Sequence, residues 1–365
     1  MWSELSSRTL VAAGACVILM VSAATAEMTV FPVATSDDDE VFPTVSGNTV
    51  VWQFYNSRYD DWDIEGADVA DAAVIRDFQI TDVPGTDAYP VIDGNDVVWQ
   101  HEYRPGLDWD IHAATIADRS RIVRYIVSAS SDDERLPCVS GGVAVWQHMF
   151  LGVADWDILG AYLTGADDPE PLYISTAIDI DELFPCISGN LVVWSQKKPD
   201  GDEPCVWGAD ISDPCQPRTF YTTMALGEQE FPCISGGWLV GRDTDEVGRV
   251  LLDNLFDPFN PEEISGSGVT ACPRIHGHIV VWQDGSNGTW DIRAYNRITE
   301  EEIVVTNRKM SEQMNPSVYV DAEQARAIIV WQDNRDGNWD IYAAVLDTPE
   351  IAKPPVEGPD EETSP

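Results

Sequence analysis

The chain has 365 residues, with 63 Asp and Glu against 21 Lys and Arg, a net charge of −42, and 44% hydrophobic residues. So acidic a surface repels phosphate backbones and anionic lipid, which speaks against nucleic-acid binding and favours cations or cationic partners. The 44% apolar content is ample for a large core, yet no stretch beyond the first 26 residues approaches the ~20 apolar residues of a spanning helix.

In chain order, the first element is a leader. Arg8 precedes an apolar run over residues 10–21, and Ala24-Thr25-Ala26 follows as a small-residue cleavage signal. This predicts a secretory signal peptide over 1–26 and an exported mature chain, placed in the periplasm, on the cell surface or in the medium. Removing it takes away Glu4 and Arg8, so the balance stays at −42. It also takes away Cys16 and leaves six cysteines: Cys138, Cys186, Cys205, Cys215, Cys233 and Cys272. An even count in an exported chain admits disulfides, whereas the absence of any C-x-x-C pair leaves a structural zinc site without support.

From residue 43 the chain repeats itself. "PTVSGNTVVWQ" at 43 returns as "PVIDGNDVVWQ" at 90, "PCVSGGVAVWQ" at 137 and "PCISGNLVVWS" at 185. It then returns as "PCISGGWLVGR" at 232, "PRIHGHIVVWQ" at 273 and a degraded "PSVYVDAEQARAIIVWQ" at 316, which makes seven units of 41–48 residues. Each unit parses into four short strands. The first ends in a Gly-Asn or Gly-Gly turn such as Gly47-Asn48, because those residues accept the positive φ of a two-residue hairpin. The second is Val-Val-Trp-Gln, the third Trp-Asp-Ile-x-x-Ala, and the fourth a run such as residues 121–126 or 302–305. Four-stranded units at this period are propeller blades.

The last unit stops after its third strand, and residues 28–43 read like a spare fourth strand. The predicted fold is therefore all-β, a seven-bladed β-propeller over 27–347 whose last blade is completed by the first strand, which removes exposed sheet edges. Residues 348–365, rich in Pro and acid, are expected to be a disordered tail. The words Pro, Ser-Gly-Asn, Val-Val-Trp-Gln and Asp-Gly-Asn-Trp-Asp-Ile-Tyr resemble those of TolB-like (PD40-type) propeller repeats in exported surface proteins. The resemblance implies the propeller fold and a docking or carbohydrate-binding role; it brings no catalytic motif. TolB-like propellers usually have six blades, whereas the repeats count seven.

Repetition separates framework from site. Trp52, Trp99, Trp146, Trp194, Trp282 and Trp331 share one position of the second strand, and large rings there fill the wedge between blades. Asp63, Asp110, Asp157, Asp291 and Asp340 recur beside the tryptophan that opens the third strand, where a carboxylate accepts backbone N–H bonds at a loop end.

Candidate sites lie on what is not copied. The crossovers into successive blades gather acids on one face, called the top. They carry Asp37, Asp38, Asp39 and Glu40, then Asp132, Asp133 and Glu134, then Asp179, Asp181 and Glu182. His101 and His148 follow the Trp-Gln of neighbouring blades and are expected side by side near that face. Clustered carboxylates suit calcium or a basic partner, and calcium is a candidate cofactor whose ligands are unassigned. In the first strand, residues 45, 92, 139, 187, 234, 275 and 318 are all apolar. The mixed position before each is therefore expected to face the central channel, bringing Cys138, Cys186, Cys233 and Arg274 together. The preferred expectation is an exported, non-enzymatic propeller that binds an extracellular or periplasmic protein or glycan through its acidic top face, with calcium as an aid. The alternative is a polysaccharide lyase or hydrolase at the channel mouth, with His101, His148 and Arg274 as its candidates.

Overall fold

The computed structural model describes residues 28–349 apart from 105, 107, 153, 154, 168, 197–204, 226–230, 244–247, 257–260 and 267. The leader over 1–26 and nearly all of the tail expected from 348 onward lie outside the described residues. The described chain forms seven four-stranded antiparallel sheets and no α-helix. In blades 1 to 6 the strands run in sequence order, blade 1 being Glu40–Ser46, Thr49–Asn56, Asp61–Asp68 and Arg76–Gln79. Blade 7 consists of Gln313–Asp321, Arg326–Asp333 and Asp340–Asp347, with Met28–Ala34 paired antiparallel to the last of these. The first strand of every blade touches that of the next, and the strands of blades 7 and 1 close the circle. The protein is a seven-bladed β-propeller.

Why the second strands read as unbroken apolar words follows from this packing. A blade is covered on both faces by its neighbours, so Val50, Val51 and Trp52 are all at most 1% exposed. Trp146 packs with Val98, Ile111 and Ala113 of the preceding blade, and Trp52 with Ile328, Val330 and Ile341 across the closure. All six framework tryptophans are at most 1% exposed.

Two kinds of hydrogen-bonded latch recur across the seams, both built mainly from copied letters. The Ser of the Ser-Gly turn accepts the Gly N–H of the next blade: Ser46 from Gly94 at 2.9 Å, Ser140 from Gly189 at 3.1 Å and Ser188 from Gly236 at 3.0 Å. Between blades 6 and 7, His276 Nδ1 takes that part, accepting from Val320 N at 2.9 Å. The Gln of Val-Val-Trp-Gln forms the second latch. Its Oε1 accepts the N–H of the residue before proline in the next blade: Leu136 from Gln100 at 2.9 Å, Phe184 from Gln147 at 3.2 Å, Asn315 from Gln283 at 2.8 Å and Phe42 from Gln332 at 3.0 Å. Backbone donors buried between blades have no water to turn to, so each needs such a partner.

Candidate functional site

The Gln latch has a consequence for the ring's axis. The first strand carries a one-residue bulge at its proline in blades 1–4, 6 and 7, the register slipping between Val41 and Thr44 in blade 1 and between Ala271 and Arg274 in blade 6. The residue before proline is thereby held at positive φ: Phe42 at 52°, Tyr89 at 52°, Leu136 at 51°, Phe184 at 58°, Cys272 at 50° and Asn315 at 52°. Bulky residues rarely adopt this conformation, which costs on the order of 1–3 kcal/mol each and persists only where surroundings enforce it. Here the neighbouring blade's Gln enforces it in five seams.

The bulges aim these side chains at the axis. Together with Phe231 and the residues just after each proline they line a cavity of about 340 Å³. One side is apolar: Phe42 and Tyr89 meet at 4.7 Å between ring centroids, Phe184 and Phe231 at 4.2 Å, and Leu136 stands between the pairs. The other side carries Thr44, Cys272, Arg274, Asn315 and Ser317. The Arg274 guanidinium lies 5.7 Å from the Phe231 ring centroid, and its Nη1 donates to the Pro273 carbonyl at 3.1 Å. Among the described residues no Asp or Glu lines the cavity, and Arg274 is the one Lys or Arg on its wall.

Three thiols form a row on the wall. Cys138 Sγ lies 3.9 Å from Cys186 Sγ, which lies 3.7 Å from Cys233 Sγ, and all six cysteines of the described chain are unbridged. Hydrogen bonding from Cys186 and the positive field of Arg274 lower the Cys233 thiol to about 6, despite its burial. The same neighbours lower Cys138, while hydrogen bonds to both flanking sulfurs push Cys186 well above the ordinary thiol range. The residues after proline, Cys138, Cys186, Cys233 and Arg274 among them, thus sit on the cavity wall. The larger contributors lie two residues earlier, just before the proline at which the predicted first strand begins, and so fell outside the alternation argument. Their signal was present: Phe, Tyr, Leu, Phe, Phe, Cys and Asn are uncopied letters beside a copied proline.

The acidic top face is a different matter, and here the expectation is corrected. Its carboxylates serve the seams. Asp39, Asp133 and Asp181 accept the backbone N–H of Trp339, Trp109 and Trp156 at 2.9, 3.2 and 3.2 Å. The next residues, Glu40, Glu134 and Glu182, return an N–H to the same tryptophans' carbonyls at 2.7, 2.8 and 2.8 Å. Their side chains are at most 1% exposed and bonded to Ser36, to Ser128 and Ser130, and to Ser175. Burial raises these three carboxyls, Glu40 to about 7, Glu134 to about 8 and Glu182 to about 7. Asp38 accepts from Ser57, and Asp132 from Leu151 N at 2.7 Å and toward His148 Nε2 at 3.2 Å. Of the set, Asp37 and Asp179 alone are exposed; the others are partly or fully buried.

The two histidines are not a surface pair. His101 is buried against Asp87 at 2.7 Å and stacked on His112 at 4.6 Å, and His148 is buried near Asp132 and Glu134. Among the described residues, no group of three or more His, Cys, Asp or Glu is arranged to hold a metal ion. The framework aspartates are buried as well, in varied bonding: Asp291 accepts Arg308 N at 2.8 Å, Asp63 the Thr81 hydroxyl at 3.3 Å, and Asp340 the Asn338 amide at 3.4 Å. Burial lifts Asp63, Asp110, Asp157 and Asp340 to about 6. No helix of the described chain is long and apolar enough to cross a membrane.

No family model and no curated protein matches the chain. Solved structures do. A structure of two prolyl endopeptidases, described for the role of inter-domain dynamics in catalysis and specificity, superimposes with a TM-score of 0.62 at 9% identity, over 84% of this chain and 46% of that one. The β-propeller domain of the Trilobed protease from Pyrococcus furiosus gives 0.61 at 8% identity, over 84% and 95%. Acylaminoacyl peptidase from Pyrococcus horikoshii gives 0.57 at 9% identity, over 84% and 51%. The chain thus spans about half the length of the two peptidases and nearly all of the isolated propeller. That propeller is described as having an open velcro topology, whereas here Met28–Ala34 completes the last blade. These likenesses to propellers of peptidases, with the consumption of the rim acids by the seams, overturn the expected non-enzymatic rim binder and the polysaccharide-acting alternative with it.

Proposed function

We propose that the ring is a peptide-handling module of the kind that peptidases carry, and that it receives an apolar peptide end in its axial cavity. The observation that carries this reading is the cavity's lining: in a chain of net −42, its described wall residues include no carboxylate and one guanidinium, set against aromatic and proline surfaces. Aromatic platforms and proline rings take apolar side chains, while Arg274 beside Phe231 suits the terminal carboxylate of a peptide. The similarity to propellers of prolyl endopeptidase and acylaminoacyl peptidase supports peptides as the ligand class, and the secretory leader pattern supports an exported setting. The repeat words support a place among TolB-like propellers.

Calorimetric titration with a short apolar peptide, as free acid and as amide, tests the reading. The acid is expected to bind about tenfold more tightly, a difference of about 1.4 kcal/mol. Arg274→Met is expected to erase the preference, and Phe231→Ala to weaken both forms. Equal binding of acid and amide to the unaltered protein would remove the carboxylate claim; no binding of either would remove the peptide claim.

A further inference from the structure

The seam between blades 4 and 5 lacks both devices that the other seams share in whole or part. Its Gln position is Ser195 and its tryptophan position Gly241. Among the described residues its buried core is Val193, Val206, Ile234 and Leu239, with Leu191, Leu251 and Leu255 partly buried against it, whereas the seam between blades 1 and 2 buries eight residues, Trp99 included. Across this stripped seam Cys186 and Cys233 face each other at 3.7 Å, and Ile234 N points at Cys186 Sγ from 3.5 Å. Both thiols line the axial cavity, which gives a small reagent access.

We propose that Cys186 and Cys233 are a disulfide-forming site, a covalent staple between blades 4 and 5 whose oxidant is a small-molecule disulfide entering the axial cavity. A disulfide has sulfurs about 2.0 Å apart, so they must close by about 1.7 Å, within reach of side-chain rotation where the strands lie near enough. The competing pair, Cys138 and Cys186 at 3.9 Å, spans a seam already held by Gln147 and Trp194. In the first step the Cys233 thiolate attacks one sulfur of the reagent and expels one small thiolate. The resulting mixed disulfide removes the negative charge beside Cys186. Cys186 then loses its proton to solvent and attacks the Cys233 sulfur, expelling the second small thiolate. Two protein thiols are oxidised by two electrons, and one small disulfide is reduced to two thiols. The titration of the row favours this order, since Cys233 is the lowered thiol and Cys186 the raised one.

The experiment incubates the folded full chain with bis(2-hydroxyethyl) disulfide, blocks residual thiols, and maps peptides by mass. Exposed Cys215 serves as a control that takes up the reagent without an internal partner. A Cys186–Cys233 linkage is expected, reversed by dithiothreitol, with a rise in unfolding temperature of about 3–8 °C for a loop of this length. Cys138→Ser is expected to retain both effects, and Cys233→Ser to lose both. A dominant Cys138–Cys186 linkage, a mixed disulfide that never resolves, or a linked chain with unchanged unfolding temperature would each overturn the proposal. Because the unaltered chain and Cys138→Ser carry the decisive readings, a poorly folding Cys233 variant does not blunt the test.

Discussion

The seam between blades 2 and 3 and that between blades 4 and 5 perform the same task with different means. In the first, Trp146 fills the wedge, Gln100 holds Leu136, Asp93 accepts Gly141 N at 2.7 Å, and Asp133 and Glu134 stitch to Trp109. In the second, the described residues show a small aliphatic core, the Ser188–Gly236 latch and a pair of thiols. A ring needs every seam, because a single open one exposes two blade faces. Uniform letters in most seams therefore allow one seam to carry different chemistry, and the difference teaches where to perturb the molecule.

The largest effect is expected from Trp146→Ala. Emptying a fully buried indole should cost about 3–5 kcal/mol, read as a shift of the denaturant midpoint. A cost below 1 kcal/mol would show that the furnished seam does not depend on its wedge. Gln100→Ala comes next, at about 1–3 kcal/mol, because it strands the partly buried Leu136 N–H and frees a backbone held at positive φ. It should also perturb ligand binding in the axial cavity, since Leu136 lines it. Ser195→Ala, at the equivalent place in the stripped seam, should stay within about 0.5 kcal/mol. Equal losses for the two would erase the contrast.

The furnished seams are also the ones expected to respond to pH. Glu134, Glu182 and Glu40 have folded-state values of about 8, 7 and 7 against an ordinary 4.5, with desolvation as the main cause. A raised carboxyl favours the folded state while protonated, so its contribution is whole below about pH 4.5 and is lost as pH climbs through 7 to 8. The unfolding temperature is thus expected to fall between pH 5 and pH 9, and Glu134→Gln to flatten that fall and to be the more stable protein at pH 9. A profile that rises with pH would show these carboxyls to be ionised and paired instead. The smallest effect is expected from Asp37→Asn, an exposed rim change that should leave both stability and pH profile within error.

The architecture was legible because its determinants are copied. Proline, Gly-Asn and Val-Val-Trp-Gln carry the blade, its turn and its wedge in order, and seven units with a spare leading strand leave little choice of topology. Serine and glutamine were legible as repeats but not as latches, since each bonds to a residue some 35 to 50 positions on. The rim acids misled for a physical reason. Charged residues usually sit in water, yet the crossovers between blades bury backbone donors, and Asp133 or Asp181 is the nearest available acceptor. The channel wall was found only in part: Cys138, Cys186, Cys233 and Arg274 were placed on it, but Phe42, Tyr89, Leu136 and Phe184, two residues before the post-proline positions and ahead of the predicted strand start, were not. The bulge at each proline extends the strand to residues that a repeat unit starting at the proline leaves out.

Completion of blade 7 by Met28–Ala34 gives the molecule a timetable. These residues are made early, yet their pairing partner, Asp340–Asp347, is made some 300 residues later. Until then the strand has no sheet to join, and six blades must wait as an open crescent with apolar flanks uncovered. The closing pair is among the longest-range contacts in the chain, so ring closure is expected to be a slow, late event of folding, with the interval before it the one most exposed to aggregation and proteolysis.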